Sequence, residues 1–385
     1  MCQLEDYFPG AKQPSAAAAW ATAASACLAN DQASARATRL RALHLPGFAG
    51  VRFWLKDESA HPSGSLKHRL ARSLLLHALR EGRLRRGQAV VDASSGSTAI
   101  SEAWFARRLG LPFHAVMPRT TTPAKQAAVA ALGGRCVPVE PGADLAFAAR
   151  TLAQELDGAY LDQFGLAAAA TDWRGPHNIA AEILRQLADA GAGDPAWIVC
   201  GAGTGGTSGT LGRHLRHAGS ATRVCVADPR GAAFAAGWRR RDRAAVATRD
   251  TCIEGIGRAR VEPCFAFDVV DAVAEVDDDA SIAGAWCLER WTGRRHGGSS
   301  GTGLAAALQL GAAMHDRGEP GSIVVVLGDR GERYDDTLFD AGWLARHGHR
   351  PGPWLRAFDR TARTGAATGM AHLHGLDRPA PAVGV

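Results

Sequence analysis

Short apolar segments that alternate with segments of helical periodicity are the feature that most restricts the fold of this chain. Residues 51–56, 88–93, 113–117 and 135–139 each have the pattern of a strand, and helical patterns lie between them. The same rhythm returns further on, at residues 179–189, 197–200, 222–227, 282–291, 302–314 and 323–327. Strands that alternate with helices of about 10 to 15 residues are typical of a parallel sheet with helices on both faces. The sequence therefore predicts an α/β fold with parallel-type sheets in three αβα layers.

The length of 385 residues exceeds what one small hydrophobic core supports, so we expect two lobes. The predicted division is a helical N-terminal segment at 1–50, a smaller α/β lobe at 51–170, a larger α/β lobe at 171–346 and a C-terminal extension at 347–385. Within the first segment we predict helices at 16–28 and 32–43. In the extension, residues 354–358 are predicted to form one packed turn, and the Gly- and Pro-rich remainder is expected to be mobile.

One lysine lies where a Gly/Ser turn passes into a helix. The stretch HPSGSLKHR occupies residues 61–69, and Leu66, Leu70 and Leu74 recur at helical spacing, which places Lys67 in the first turn. The positive end of the helix dipole disfavours a second cation, so it should lower the pKa of this amine. Amines activated in this way form Schiff bases with carbonyl compounds such as pyridoxal phosphate (PLP). A solvated first-turn lysine is the alternative interpretation. The chain has only four lysines: Lys12, Lys56, Lys67 and Lys125.

A glycine-rich segment, Gly-Ala-Gly-Thr-Gly-Gly-Thr at residues 201–207, follows a predicted strand and precedes a helix. Its glycines let several backbone N–H groups converge on a phosphate, and the helix N-terminus adds positive potential. Gly201, Gly203 and Gly206 also match the dinucleotide motif G-x-G-x-x-G, and Asp228 ends the next strand, where a ribose-binding acid would lie. An NAD-dependent oxidoreductase therefore stays open as a more distant alternative. The mid-chain position of the motif and the unused lysine stretch argue against it.

Two further loops complete a series of motifs. Residues 297–301, Gly-Gly-Ser-Ser-Gly, precede a helix, and residues 329–334, Asp-Arg-Gly-Glu-Arg-Tyr, follow a strand. Each is weak alone, because Gly/Ser loops before helices are common. The order of the motifs is informative: GSLKHR, SSGST, QF, GAGTGGT, EGIG, GGSSG and GERY. From residue 51 to 334 this order resembles the fold-type II PLP enzymes of the cysteine synthase and cystathionine β-synthase family, whose fold is tryptophan synthase β-like.

The resemblance implies a role for each motif. Lys67 is expected to hold PLP as a Schiff base, and Ser299 to meet its pyridine nitrogen. The phosphate would be bound by Gly203, Thr204, Gly205, Gly206 and Thr207. The substrate-carboxylate set of the family is matched by Ser95, Ser97, Thr98 and Gln163, and Gly255 matches the loop opposite the cofactor. Ser97 also stands where cysteine synthases have an asparagine that supports the cofactor's phenolic oxygen.

Within that family, four stretches are similar to bacterial L-cysteine desulfhydrases: KDES, SLKHR, ASSGST and DWRG. Ser97, His68 and residues 172–175 differ from ordinary cysteine synthases. For His68, two interpretations stay open, a polar residue on the outer side of its helix and an active-site residue. A serine at the pyridine nitrogen does not force protonation of the ring as a carboxylate would, which favours expulsion of a β-substituent over transamination.

The resemblance to L-cysteine desulfhydrases, together with a serine at the pyridine nitrogen, implies β-elimination on L-cysteine. The products would be hydrogen sulfide, pyruvate and ammonia, formed through an aminoacrylate intermediate. Lys67, once the substrate amine has displaced it, is the candidate base. The alternative is β-replacement on O-acetylserine, serine or cysteine, as in a cysteine synthase or cystathionine β-synthase.

Composition narrows the partners and the location. The net charge is +6, but the arginines are spread along the chain, so we expect no nucleic-acid partner. No stretch approaches the roughly 18 apolar residues that cross a bilayer, and the Ala-rich run at residues 15–26 lacks a preceding basic region, which favours a helix over a signal peptide. Eight cysteines without a C-x-x-C pair indicate reduced thiols, no metal site and a cytoplasmic protein. We expect a homodimer that acts on a small amino acid.

Overall fold

The computed structural model describes residues 15–34 and 37–377. Its strands are β1 Arg39–Leu43, β2 Val51–Asp57, β3 Val90–Ala93, β4 Phe113–Pro118, β5 Arg135–Val139, β6 Ala159–Tyr160, β7 Trp197–Gly201, β8 Arg223–Pro229, β9 Ala272–Val276, β10 Gly321–Leu327 and β11 Ala371–His374. Its helices are α1 Ala16–Ser34, α2 Lys67–Arg80, α3 Ser97–Leu109, α4 Pro123–Ala130, α5 Leu145–Glu155, α6 Gln163–Ala170, α7 Ile179–Asp189, α8 Gly206–His217, α9 Ala233–Arg240, α10 Asp278–Thr292, α11 Gly298–Asp316, α12 Ala341–Arg346 and α13 Gly352–Thr364.

The larger sheet has the strand order β1-β2-β10-β7-β8-β9-β11. The five inner strands run parallel, and the two edge strands are antiparallel to their neighbours. The inner strands are apolar on both faces: Ile323, Val324 and Val325 of β10 are all fully buried. Burial of each such side chain stabilises the fold by about 1.5–3 kcal/mol. Strands that are buried on both sides require a layer of helices on each face.

The smaller sheet has the order β5-β4-β3-β6, and all of its pairings are parallel. Its core brings α2 and α3 together through Leu74, Ala78, Ala103 and Phe105, all of them buried. The predicted α/β class with parallel-type sheets is confirmed. Across the described ranges, no helix is long and apolar enough to cross a membrane.

Three parts of the predicted organisation differ from the structure. The strand at residues 51–56, which we placed in the smaller lobe, pairs with β10 and with β1 and so belongs to the larger sheet. The predicted helix at 32–43 is wrong: among its described residues, only 32–34 are helical, as the end of α1, and residues 39–43 pair with β2 as a strand. Residues 39–43 form a strand because β2 supplies their hydrogen-bond partners, and this pairing cannot be recognised from the local apolar periodicity.

The C-terminal extension is the third part that differs from the prediction, because it is more ordered than expected. Helix α13 is longer than the packed turn expected at 354–358, and its Phe358 is fully buried against Trp291 of α10. Strand β11 then pairs with β9, with Ala371 opposite Val276. The extension therefore closes one edge of the larger sheet as far as residue 377, where the described part ends.

Candidate active site

A cavity of about 710 Å³ lies at the carboxyl ends of strands from both sheets. Its walls include Ala93 at the end of β3, Gly201 at the end of β7 and Gly328 just after β10. In open α/β sheets, ligands bind at this edge, since helix N-termini and loops converge there. The volume lies within the range of about 300–1,000 Å³ typical of small-molecule sites.

Lys67 is the first residue of α2, and its side chain lines this cavity. The preceding residue is tied to the larger sheet, because the Leu66 N–H donates to the Gly328 carbonyl at 2.8 Å. Burial lowers the pKa of the Lys67 amine to about 8, and the Arg258 cation adds to that effect, while Glu102 and Asp329 oppose it. The lowered pKa agrees in direction with the sequence analysis, and burial adds a cause that the sequence analysis did not consider.

The other lysines are less suited to hold a carbonyl cofactor. Lys56 is fully buried and ion-paired to Glu182 at 2.9 Å, away from the cavity lining. Lys125 does line the cavity, but its Nζ is 2.6 Å from the Glu254 carboxylate. Lys12 lies outside the described residues.

Arg69 anchors the helix that carries Lys67. Its guanidinium donates to Glu58 from Nε at 2.6 Å and to Glu182 from Nη2 at 2.6 Å, so it joins α2 to α7 and to the turn after β2. Hydrogen bonds of this charged type are about twice as strong as neutral ones. Because Arg69 lies two positions after Lys67, these hydrogen bonds fix the start of α2 relative to the larger sheet.

The glycine segment after β7 has the geometry of an anion cradle. Gly205 has φ +85°, and a Cβ there would clash with the backbone of Phe265. A Cβ on Gly203 would clash with the Gly255 carbonyl and would lie 3.4 Å from Lys67 Nζ. Backbone N–H groups at the start of α8 are thus brought close to the lysine amine, and they fit a phosphate attached to a carbonyl compound. Gly206 is the one predicted phosphate residue that does not line this cavity.

The residue needed by the NAD alternative is turned away from the cavity. Asp228 is fully buried at the end of β8, where its carboxylate accepts from the Ala235 N–H at 3.0 Å. Burial raises its pKa to about 7. It does not line the cavity, so it is not placed to bind a ribose there.

All of the predicted substrate residues line the same cavity: Ser95, Ser97, Thr98, Gln163 and Gly255. Thr98 donates to the Gln163 amide oxygen at 2.8 Å, and Gln163 donates to the Ala93 carbonyl at 2.9 Å. Both side chains are buried. These bonds fix the N-terminus of α3, whose free N–H groups can receive a carboxylate.

The segment after β10 contributes residues to which the sequence analysis gave no role. Arg333 Nη1 donates to Ser97 Oγ at 2.6 Å, and Ser97 Oγ donates to Asp329 at 3.4 Å. Tyr334 also donates to Asp329, at 2.7 Å, and burial raises the pKa of that carboxyl. Ser299, at the start of α11, lines the same part of the cavity. The GERY motif was visible in the sequence, but its contact with Ser97 crosses between the sheets.

Charged groups around the cavity were also missed. They are Lys125, Asp144, Glu254, Arg258, Arg260 and Asp329. Glu254 and Asp329 had local signals, since Glu254 begins the EGIG motif and Asp329 begins the segment at residues 329–334, but neither was given a role. The others come from separate loops that only the folded chain brings together.

His68 and residues 172–175 do not line the main cavity. His68 is fully buried, so the interpretation as a residue on the outer side of the helix is wrong. In residues 172–175, the Asp172 carboxylate caps a turn by accepting from the N–H groups of Arg174 and Gly175, both at 3.0 Å. Asp172 lines a separate cavity of about 80 Å³ on the other side of Lys67 and Thr207.

Comparison with known proteins agrees with this geometry. The family model of pyridoxal-phosphate dependent enzymes matches residues 33–329, and the chain belongs to that family. The prediction of PLP as the cofactor is thereby confirmed.

Among individual relatives, the L-cysteine desulfhydrase Cds1 of Mycobacterium tuberculosis is 48% identical over 316 residues, which cover 81% of this chain and 86% of the relative. N-(2-amino-2-carboxyethyl)-L-glutamate synthase of Cupriavidus metallidurans is 32% identical, over 78% of this chain and 86% of the relative. The crystal structure of O-ureido-L-serine synthase superposes with a TM-score of 0.71 at 27% identity, over 82% of this chain and 98% of that one.

Proposed function

We propose that this chain binds PLP through Lys67 and degrades L-cysteine by β-elimination to hydrogen sulfide, pyruvate and ammonia. One observation carries the proposal: a lysine amine with a pKa lowered to about 8 lies beside a glycine cradle, in a cavity that also holds the N-terminus of α3. The 48% identity to an L-cysteine desulfhydrase supports the choice of reaction.

The cofactor-binding residues follow from the cavity walls. Backbone and hydroxyl groups of Gly203, Thr204, Gly205 and Thr207, which line the cavity, would hold the phosphate, and the Ser299 hydroxyl in the same cavity would hold the ring nitrogen. When bound, PLP withdraws electrons from the α-carbon of an amino acid. A serine hydroxyl leaves that ring nitrogen unprotonated more readily than a carboxylate does, which favours loss of a β-substituent.

Lys67 moves the α-proton. Its amine is neutral for a substantial fraction of molecules near pH 8, because burial has brought its pKa to about 8. A base whose pKa lies near the working pH is the most effective proton acceptor. Arg69 keeps the start of α2, and with it the amine, in place.

The substrate carboxylate binds at the N-terminus of α3, where Ser95, Thr98 and Gln163 line the cavity. The bond between Thr98 and Gln163 holds this end of the site without any cation. Helix N-termini attract anions through their free N–H groups. Arg258 also lines the cavity, although its guanidinium is ion-paired to Glu262 at 2.8 Å.

A second candidate is β-replacement, which the two synthases reported above, N-(2-amino-2-carboxyethyl)-L-glutamate synthase and O-ureido-L-serine synthase, favour. A replacement enzyme must hold its intermediate away from water until a second substrate arrives. A side-chain amide at position 97 would offer two donors and an acceptor, and Ser97 offers one donor. That single proton is already directed at Asp329. We therefore favour elimination.

The cofactor assignment is tested by trapping. Purified protein should be yellow, and borohydride followed by peptide mass spectrometry should place the reduced adduct on Lys67. Lys67→Ala should lose the colour, whereas Lys125→Ala, the matched control at the other lysine of the cavity, should keep it. An adduct on Lys125 or Lys56, or no adduct, would contradict the assignment.

We further propose that the protein is a cytoplasmic homodimer. The described cysteines are all free, as expected in a reducing compartment. Light scattering coupled to gel filtration should give a mass near twice that of one chain. A monomeric mass at micromolar concentration would contradict the dimer.

A further inference from the structure

A chain of buried side chains joins His68, the neighbour of Lys67, to the substrate loop. His68 Nε2 lies 3.2 Å from Asp31 Oδ2, and its Nδ1 lies 3.0 Å from Ser63 Oγ. Ser63 Oγ is 2.8 Å from Ser101 Oγ, and Ser101 donates to the Ser97 carbonyl at 2.8 Å. All four side chains of this relay, Asp31, His68, Ser63 and Ser101, are at least nine-tenths buried.

We propose that His68 is a positioning residue: through Ser63 and Ser101 it holds the first turn of α3, and thereby Ser97, in the orientation that binds the substrate. This inference rests on the proposed binding of the substrate carboxylate at that helix N-terminus. Asp31, from α1, fixes the imidazole ring from the other side. Asp31 lies before residue 33, where the family match begins, so this segment is linked to the substrate loop indirectly, through the relay.

The relay that we propose has one direction. The Ser101 hydroxyl proton goes to the Ser97 carbonyl, Ser63 donates to Ser101, and His68 donates to Ser63 from Nδ1. Burial lowers the pKa of His68, while the Asp31 carboxylate beside Nε2 opposes this effect and favours a proton on that nitrogen as well. Arg72 also approaches Asp31, at 3.5 Å, and supports the charge there. The donor that matters to Ser97 is therefore the Nδ1 N–H.

The surroundings hold the ring in one place. His61 stacks on His68 at 5.0 Å between centroids and is itself bonded to Glu58. The rings of Trp104 and Phe105 pack at 4.8 and 4.6 Å. Such an aromatic environment fixes the ring but would accept any flat apolar residue, so packing alone gives no reason for the hydrogen bonds to Ser63 and Asp31.

A second link makes the Ser63 turn a shared support. Arg333 Nη2 donates to the Ser63 carbonyl at 2.7 Å, while its Nη1 donates to the Ser97 hydroxyl. The turn thus contacts Ser97 twice, through Arg333 at the side chain and through Ser101 at the carbonyl. Loss of one link leaves the other, so a relay variant should fold and keep PLP while its substrate site loosens.

The test compares two buried serines with the same bonding pattern. Ser101→Ala removes the last link of the relay. Ser281→Ala is the matched control, because Ser281 is also fully buried, donates to the carbonyl four residues earlier, accepts from another hydroxyl and does not line the cavity. The readout is the dissociation constant of the PLP-loaded enzyme for L-serine, measured from the absorbance change of the cofactor, which does not require turnover.

We expect the dissociation constant to rise roughly fivefold in Ser101→Ala, the equivalent of about one net hydrogen bond, and to stay unchanged in Ser281→Ala. Ser101→Thr, which keeps the hydroxyl, should have a dissociation constant close to that of wild type. An unchanged constant in Ser101→Ala, or an equal rise in both alanine variants, would overturn the relay. If wild type binds L-serine but does not degrade L-cysteine, the proposed function fails while the relay is still tested.

Two substitutions of His68 provide an independent test. In His68→Asn, the side-chain amide can place an N–H near the Nδ1 position and keep the bond to Ser63, whereas the longer amide of His68→Gln places it near Nε2 and loses that bond. His68→Asn should therefore bind L-serine several-fold more tightly than His68→Gln at equal PLP content. Equal affinities, or tighter binding by His68→Gln, would contradict the proposed direction of the relay.

Discussion

Nη1 of Arg333 donates a hydrogen bond of 2.6 Å to Ser97 Oγ, and this contact joins the segment after the last parallel strand of the larger sheet to the substrate loop of the smaller sheet. The same hydroxyl faces Asp329, which also binds Tyr334. Position 97, where the chain differs from cysteine synthases, is thus held by the larger lobe.

Removal of this contact should weaken catalysis without removal of the cofactor. In Arg333→Gln, the bonds to Ser97 and to the Ser63 carbonyl are lost, and bonds from a charged donor are each worth about 1.5–3 kcal/mol. We expect kcat/KM for L-cysteine to fall by roughly 10- to 100-fold, because a loss of transition-state stabilisation of that size lowers kcat/KM by such a factor. Arg330→Gln is the control, since the Arg330 guanidinium donates to the Ser59 and His61 carbonyls and, among the described residues, makes no hydrogen bond to Ser97. Equal losses in both variants would argue against a specific role for Arg333.

The pH dependence of cofactor binding should report the Lys67 pKa. Only the neutral amine attacks a carbonyl, so the rate at which apoprotein takes up PLP should rise with pH to a midpoint near 8 and not near 10.5. Since the folded amine loses its proton before the unfolded one, this group also makes the apoprotein more stable as pH rises from about 8 toward 10.5. Arg258→Gln removes a cation that lowers the pKa, and the midpoint should move upward. An unchanged midpoint in this variant would contradict the assigned effect of the Arg258 cation on the pKa of Lys67.

Ring electronics are tested at Ser299. Ser299→Asp should still bind PLP, but a carboxylate would keep the ring nitrogen protonated, so elimination should be lost and slow transamination should appear as a measurable keto-acid product from L-alanine. Ser299→Asn has nearly the same shape without the charge and should retain more elimination than the aspartate variant. If elimination kinetics in Ser299→Asp equal those of wild type, another residue faces the nitrogen.

The balance between elimination and replacement should depend on position 97. Ser97→Asn introduces the amide of cysteine synthases, worth one or two hydrogen bonds of about 1 kcal/mol each, and should raise the ratio of cysteine formed from O-acetylserine and sulfide to pyruvate formed. Ser97→Ala removes the hydroxyl without an amide, so this ratio should not rise. Both products can be measured in one reaction by chromatography. A ratio unaffected by the asparagine would show that position 97 does not set the outcome.

Local signals in the sequence predicted much of the fold. The boundaries of β5 and α7 agree with the sequence interpretation because apolar periodicity and turn residues act within a few positions. Residues 51–57 were assigned to the wrong sheet because their partner, β10, lies far along the chain. Strand β11 was missed for the same reason, since its order depends on pairing with β9.

The residues of the site also fall into two groups, those with a local signal in the sequence and those whose position depends on distant parts of the chain. Lys67 and the glycine cradle were visible because a turn, a helix start and a close backbone approach leave local marks in the sequence. The pairing of Ser97 with Arg333 and the burial of His68 were not visible, because each depends on residues from separate elements. The burial that lowers the pKa of Lys67 was not visible either, since burial is a property of the folded chain.

The reaction itself is tested most directly by a steady-state comparison of two assays on the purified, PLP-loaded protein. With L-cysteine alone, we predict sulfide, pyruvate and ammonia in equal amounts, at a rate above that of cysteine formation from O-acetylserine and sulfide. If O-acetylserine and sulfide are consumed far faster, with negligible pyruvate from L-cysteine alone, the desulfhydrase account is contradicted and β-replacement is the reaction.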